Sequence, residues 1–219
     1  MKQFTRRAMR VLCIDFETAN YSPESACAIG YALLESGKVI EKGSFLIRPH
    51  AGYSDFRPDF IMIHGIKPAH VKDKPEFPAV YEKLKPFFKG STLAAYFSAF
   101  DSKVLRALVN LYGLDFPQTE FLCTCKLTRK LWKHLENHKL PTVCSHVRYK
   151  LNHHDAGSDA EGCAWVLRKV LEETGAKTAE ELACTTGVKI GVLHKDAITY
   201  RKGKKSGIIR TKTSPKSQR

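Results

Sequence analysis

The stretch Val11-Leu12-Cys13-Ile14-Asp15-Phe16-Glu17-Thr18 decides how this chain is read. Its apolar residues predict a buried strand. Such a strand has no ordinary place for two carboxylates, because an unpaired charge is costly away from water. Residues two apart on a strand share a face, so Asp15 and Glu17 converge. Like charges held together call for a cation between them, and oxygen ligands select hard divalent ions such as magnesium, manganese or calcium. The alternative is a strand end whose acids face water, since carboxylates in unusual places also serve structure.

Two later segments supply more of the same chemistry. Asp101 follows a second apolar run, Leu93-Ala94-Ala95-Tyr96-Phe97, and opens a segment with Val104, Leu105, Leu108, Leu111 and Tyr112 at helical spacing. That puts an acid where a strand hands over to a helix, on the core-facing side. The stretch His153-His154-Asp155-Ala156-Gly157-Ser158-Asp159-Ala160 leads into a helix whose apolar stripe is Ala160, Cys163, Ala164, Leu167, Val170 and Leu171. Asp159 borders the stripe at the helix start, and His154 lies on its approach.

Four acids and a histidine in this order resemble the DEDDh, or DnaQ-like, family of 3′–5′ exonucleases, which includes the proofreading exonucleases of replicative DNA polymerases. The matching residues are Asp15-Phe16-Glu17-Thr18, Phe100-Asp101 and His154-Asp155-Ala156-Gly157-Ser158-Asp159-Ala160, with Ile63-His64-Gly65-Ile66 as the family's His-Gly-Ile element. Cys123 to Arg129 and Asn137-His138-Lys139-Leu140 look like the stretch before the family's histidine. Each motif alone is weak; together and in order they are specific. One departure stands out: Tyr96-Phe97 occupies the place where the family often has His-Asn.

The resemblance implies an α/β, ribonuclease-H-like fold: a mixed five-stranded sheet of order 3-2-1-4-5, strand two antiparallel, with helices on both faces. It implies two divalent metal ions, Mg²⁺ or Mn²⁺, held by Asp15, Glu17, Asp101 and Asp159. His154 is the general base by the family spacing, with His153 its neighbouring competitor. Phe16, Thr18, Ile63, His64 and Ile66 are expected to meet the terminal nucleotide. The expected activity is 3′–5′ hydrolysis of nucleic acid, DNA preferred, to nucleoside monophosphates by a two-metal mechanism. The alternatives are RNA 3′-end processing and a non-catalytic nucleic-acid-binding module. The expected partners are single-stranded or frayed 3′ ends and a polymerase or other replication or repair protein.

Composition is consistent with this. The 219 residues suit one domain with a tail, and 43% hydrophobic content is enough for a full core. No apolar run approaches the length of a membrane span. The start is read as mature protein, because Asp15 and Glu17 interrupt what a secretory signal would need. Seven cysteines, an odd number without a secretion signal, predict reduced thiols and a cytoplasmic protein. The net charge of +14 favours a polyanionic partner. It is uneven: residues 188–219 carry seven Lys and three Arg against one Asp, a net of +9.

The domain reading is an exonuclease domain over residues 1–184 and a basic tail or small appendage over 185–219. Along the chain, strands are expected at 10–17, 26–35, 38–48, 92–97 and 120–124, the first three as an antiparallel meander turning at Ser36-Gly37. Helices are expected at 77–88, 101–112, 125–135, 141–151 and 155–174. Residues 186–193 and 197–200 are candidate short strands of the appendage.

Overall fold

The computed structural model describes residues 9–203 except 117 and 196. Among them, seven strands form one sheet: β1 (Arg10–Thr18), β2 (Ala26–Glu35), β3 (Lys38–Leu46), β4 (Thr92–Ala95), β5 (Thr119–Cys123), β6 (Ile190–Leu193) and β7 (Ile198–Arg201). The helices are α1 (Pro58–His64), α2 (Pro68–Val71), α3 (Phe77–Phe88), α4 (Ser98–Leu111), α5 (Thr124–Leu131), α6 (Leu140–His146), α7 (Ala156–Thr174) and α8 (Ala179–Thr186).

The sheet order is β3-β2-β1-β4-β5-β6-β7. Strands β1 to β3 form the expected antiparallel meander, and β1-β4 and β4-β5 pair in parallel. The turn between β2 and β3 has positive φ at Ser36 and Gly37, the two-residue hairpin geometry that matches strand twist. The order 3-2-1-4-5 is therefore present, in a sheet two strands wider than expected. β6 pairs antiparallel with β5, and β7 with β6. All four residues of β6 are buried, so this stretch is integral to the sheet.

Strand β1 sorts its side chains between two cores. Leu12, Ile14 and Phe16 pack on one face with Phe77, Val80 and Leu84 of α3 and Val104, Leu105 and Leu108 of α4. Val11 and Cys13 pack on the other with Cys163, Ala164 and Leu167 of α7 and residues of α5, α6 and α8. Helices thus cover both faces, and β2, buried from Ala26 to Leu34, reads as a near-continuous apolar run for that reason.

Several boundaries differ from expectation. α4 begins three residues before Asp101, α5 stops at Leu131, and α6 stops at His146 before Arg148 takes a positive φ. Thr186 ends α8 rather than opening a strand. The signal for α8 was present in the sequence: the Thr178 side chain caps it by accepting from the Glu181 N–H at 3.1 Å, the first half of a capping box. Met1 and the charge run beyond residue 203 lie outside the described residues.

Candidate active site

The acids gather at the carboxyl ends of β1 and β4, beside the place where the sheet changes from antiparallel to parallel pairing. Asp15 and Glu17 alternate with Ile14 and Phe16, so they point to the α7 side of β1. Asp159 reaches them from the first turn of α7, which Asp155 caps by accepting from the Ser158 N–H at 2.8 Å. Carboxylate oxygens of Asp15, Glu17 and Asp159 lie within 4.8 Å of one another. Asp101, from the first turn of α4, accepts the Phe16 N–H at 3.0 Å, which ties α4 to β1.

Close backbone packing makes this convergence possible. Gly30 is paired with Asp15 across β1 and β2. A Cβ at Gly30 would lie 1.7 Å from the Ala156 carbonyl oxygen, so only glycine lets the start of α7 sit this close to the sheet.

The electrostatics follow from burial and crowding. Asp101 and Asp159 are only 2% and 4% exposed. Burial first, then the charges of Asp101, Asp159 and Glu17, hold the Asp15 carboxyl well above the usual range. Burial followed by Asp159 and Asp101 pushes Glu17 up to about 8. Asp101 is pushed to about 7 by burial, against the stabilising Phe16 N–H. Burial also raises Asp159, opposed by the His154 N–H and by His153. The four carboxylates make an all-oxygen donor set, and it fits one or more hard divalent cations.

The two histidines sit together at the cleft mouth. His153 Nδ1 is 3.1 Å from Asp159 Oδ2, and the His154 backbone N–H donates to the same oxygen at 3.0 Å. The rings stack at 3.8 Å. His154 has φ 68°, in the left-handed region. Burial, then His153, lowers the His154 pKa, with Asp159 opposing, so its ring is neutral near pH 7. Sequence spacing selects His154 but does not show that His153 contacts Asp159.

The cleft encloses about 490 Å³. Phe16, Thr18, Ile63 and His64 line it as expected, and Ile66 does not. The Ile66 N–H donates instead to His64 Nδ1 at 3.0 Å. His64 therefore carries its proton on Nε2 and donates to the Thr18 carbonyl at 3.1 Å, pinning the end of α1 to the end of β1. Phe60, Phe97, Phe100, Arg129, His138 and Lys139 also line the cleft; Phe60 lies outside the quoted motifs, and the others stand in or beside them without having been assigned to the site. A signal existed for Phe97, which is 58% exposed directly after an apolar strand. At the departure Tyr96-Phe97, the Tyr96 hydroxyl turns inward and donates to the His138 carbonyl at 2.9 Å, holding the segment before α6.

A larger hollow of about 760 Å³ lies beneath α3 and is lined by Tyr81, Lys85, Phe88 and Asp115 among others. Among the described residues, the clusters able to share a metal are Asp15–Glu17–Asp159 and His153–His154–Asp159, both in the smaller cleft. The smaller one is therefore the candidate active site.

Comparison with known proteins gives the family of this chain. The RNase T family model, described as "Exonuclease", matches residues 12–167. A PolC-type DNA polymerase III from Caldanaerobacter subterraneus subsp. tengcongensis is 30% identical over 174 residues, covering 77% of this chain and 12% of the polymerase. The 3′–5′ exonuclease DinG of Bacillus subtilis is 27% identical, covering 75% of this chain and 18% of that protein. This chain thus spans only a small part of those relatives. Among solved structures, Exonuclease X in complex with 5′-overhanging duplex DNA has a TM-score of 0.62 at 28% identity, covering 82% of this chain and 99% of that one. A 3′-exonuclease solved with the histone mRNA stem-loop has a TM-score of 0.70 at 17% identity, covering 90% and 92%, a likeness of fold. With the family model matching most of its length, this chain belongs to the exonuclease family that the RNase T model describes.

Proposed function

We propose that this chain is a metal-dependent 3′–5′ exonuclease that releases nucleoside monophosphates from nucleic-acid ends, acting on DNA in preference to RNA. One observation carries the reading: carboxylates of β1 and α7 converge, and Asp101 of α4 and His154 line the same cleft, which exposed aromatic rings wall. Asp15, Glu17, Asp101 and Asp159 would hold two Mg²⁺ or Mn²⁺ ions. When bound, such ions supply Lewis-acid charge at the scissile phosphate.

This chain's own residues do the rest. Neutral His154 takes the proton of the attacking water, whose oxygen forms the new bond to phosphorus. The P–O3′ bond breaks, and the leaving 3′ oxygen acquires a proton to become the new 3′ hydroxyl. The Phe16 backbone and Thr18 lie beside the terminal nucleotide. His64 fixes the Thr18 carbonyl, and Ile63, Phe97 and Phe100 offer apolar faces on which any base can stack. Stacking without base-edge readout suits a nuclease indifferent to sequence.

Preference for DNA is supported by the polymerase relatives and by the DNA complex of Exonuclease X. The same relatives suggest a polymerase or other replication or repair protein as partner. Five intact functional residues argue against a purely binding module. Among the described residues no helix is long and apolar enough to cross a membrane; with the unpaired cysteines, this supports a cytoplasmic setting. The test is digestion of 5′-labelled DNA and RNA oligonucleotides of one sequence with Mg²⁺, Mn²⁺ or a chelator. The expected result is a ladder shortening from the 3′ end, faster on DNA and absent with chelator. Internal cuts, or shortening that survives chelation, would contradict the proposal, and faster loss of RNA would reverse the preference.

A further inference from the structure

A second groove adjoins the catalytic cleft. It encloses about 430 Å³ and lies between α5 and the β6–β7 edge. Its lining is Lys126, Arg129, Lys130, Gly187, Val188, Lys189 and Tyr200, with four cations and no acid. Lys126, Arg129 and Lys130 lie three and four residues apart on α5, on one face of the helix. Among the described residues, none of the four cations forms an ion pair with a carboxylate. Tyr200 is 52% exposed, and the Lys126 ammonium lies 5.3 Å from its ring centre.

Two observations say what this groove serves. Arg129 lines it and also lines the catalytic cleft, so the two hollows share a wall. The neighbouring charge on β7 is used differently: Arg201, adjacent to Tyr200 and on the opposite face of the strand, pairs with Glu120 and Glu180. One side of the strand is neutralised and fastens β7 to the domain, while the other leaves cations and a ring open.

We propose that this groove holds the substrate strand on the 5′ side of the nucleotide being removed, with Lys126, Lys130 and Lys189 on phosphates and the Tyr200 ring under a base. The inference rests on the nuclease reading of the cleft. An alternation of cations with an exposed ring is how single strands are held without sequence readout. The strand enters past Arg129 and delivers its 3′ end to the acids. One wall of this groove, Gly187 to Lys189 leading into β6 and Tyr200 of β7, comes from the part of the chain beyond the five-strand core, so the added sheet edge lengthens the substrate track.

The test compares wild type with Lys126→Glu/Lys130→Glu/Lys189→Glu and with the milder triple glutamine variant. Binding of a 5′-fluorescent single-stranded 12-mer, read by anisotropy in chelator, does not depend on hydrolysis. The expected result is Kd raised at least ~10-fold in the glutamate variant, in the same direction for glutamine, with the log–log salt slope shallower by about 2, from three contacts at ~0.7 each. In the cleavage assay, KM for the 12-mer rises while KM for a dinucleotide, too short to reach the groove, moves less than twofold. Tyr200→Ala weakens 12-mer binding without changing the salt slope. Wild-type affinity and slope in both triple variants would overturn the groove. Binding that weakens as expected in a chain that cleaves neither substrate would instead overturn the nuclease reading.

Discussion

At the residue scale, the site rests on placing groups that cost stability until something compensates them. Asp15→Asn, Glu17→Gln, Asp101→Asn and Asp159→Asn are each expected to remove nearly all turnover while the far-ultraviolet circular dichroism stays native. His154→Asn, which keeps a residue tolerant of positive φ, is expected to lower kcat by roughly 10²–10⁴, the range for loss of a general base. His153→Ala is expected to be milder, acting through Asp159 alone; a reversed order in steady-state kinetics would make His153 the base. Phe97→Ala is expected to raise KM for an oligonucleotide by about tenfold, as loss of one stacking face predicts. Ile66→Ala, away from the cleft, is expected to stay within twofold. Most of this scale was legible in the sequence, because an acid in an apolar run is a violation that demands an explanation. What was not legible was which neighbours fill the walls. Phe60 of α1, Phe100 of α4 and Lys139 just before α6 come from three separate parts of the chain, and nothing local marks them as facing one cleft. At Ile66 the motif names a side chain, and the contact seen is through its N–H, which sets the tautomer of His64.

At the element scale, the site depends on how closely α7 approaches β2. Gly30 is the contact that permits it, and a methyl group there meets the Ala156 backbone. Gly30→Ala is expected to push the start of α7, with Asp159, away from β1. Overpacking of this kind costs about 1–3 kcal/mol, or more. The expected outcome is a lower Tm in calorimetry together with at least tenfold loss of kcat, not restored by excess Mn²⁺. Native activity in this variant would show that α7 can shift without moving Asp159. Elements with strong periodicity, such as β2 and α3, stood out in the sequence to the residue. Short ones did not. The four-residue β6 becomes a strand only because β5 offers it an edge, and that tertiary pairing leaves no mark in local pattern. The same pairing changes how the basic end is read. Arg201 fastens β7 through Glu120 and Glu180, so it is a structural cation, and reversing its charge would test folding rather than substrate binding. Lys204 and Lys205, two further cations of the basic stretch from 188 to 219, lie outside the described residues.

At the scale of the whole molecule, the carboxylate cluster links stability to pH and to metal. In metal-free buffer Glu17 titrates at about 8 and Asp101 at about 7, both above their unfolded values. A raised folded pKa means the native state binds more protons than the unfolded chain. The cluster's contribution is therefore fully present below about pH 4 and is lost as pH rises through 7 to 8. Each tenfold gain in proton affinity on folding is worth about 1.4 kcal/mol, and each kcal/mol moves Tm by roughly 2–4 °C at this size. Metal-free protein is thus expected to lose at least ~5 °C in Tm from this cluster between pH 5 and pH 8, as followed by calorimetry, and divalent metal is expected to recover it. Asp15→Asn removes one repelling buried acid and is expected to melt higher than wild type in chelator at pH 8. The most direct test of the central claim follows hydrolysis of a labelled DNA 3′ end and Tm in the same samples across a Mn²⁺ titration, for wild type, Asp15→Asn and Asp159→Asn. The account predicts that wild type gains both over one concentration range and that the variants lose hydrolysis and most of the metal-induced rise in Tm. Release of nucleoside monophosphates that persists in chelator, or in Asp15→Asn and Asp159→Asn at wild-type rate, would contradict it.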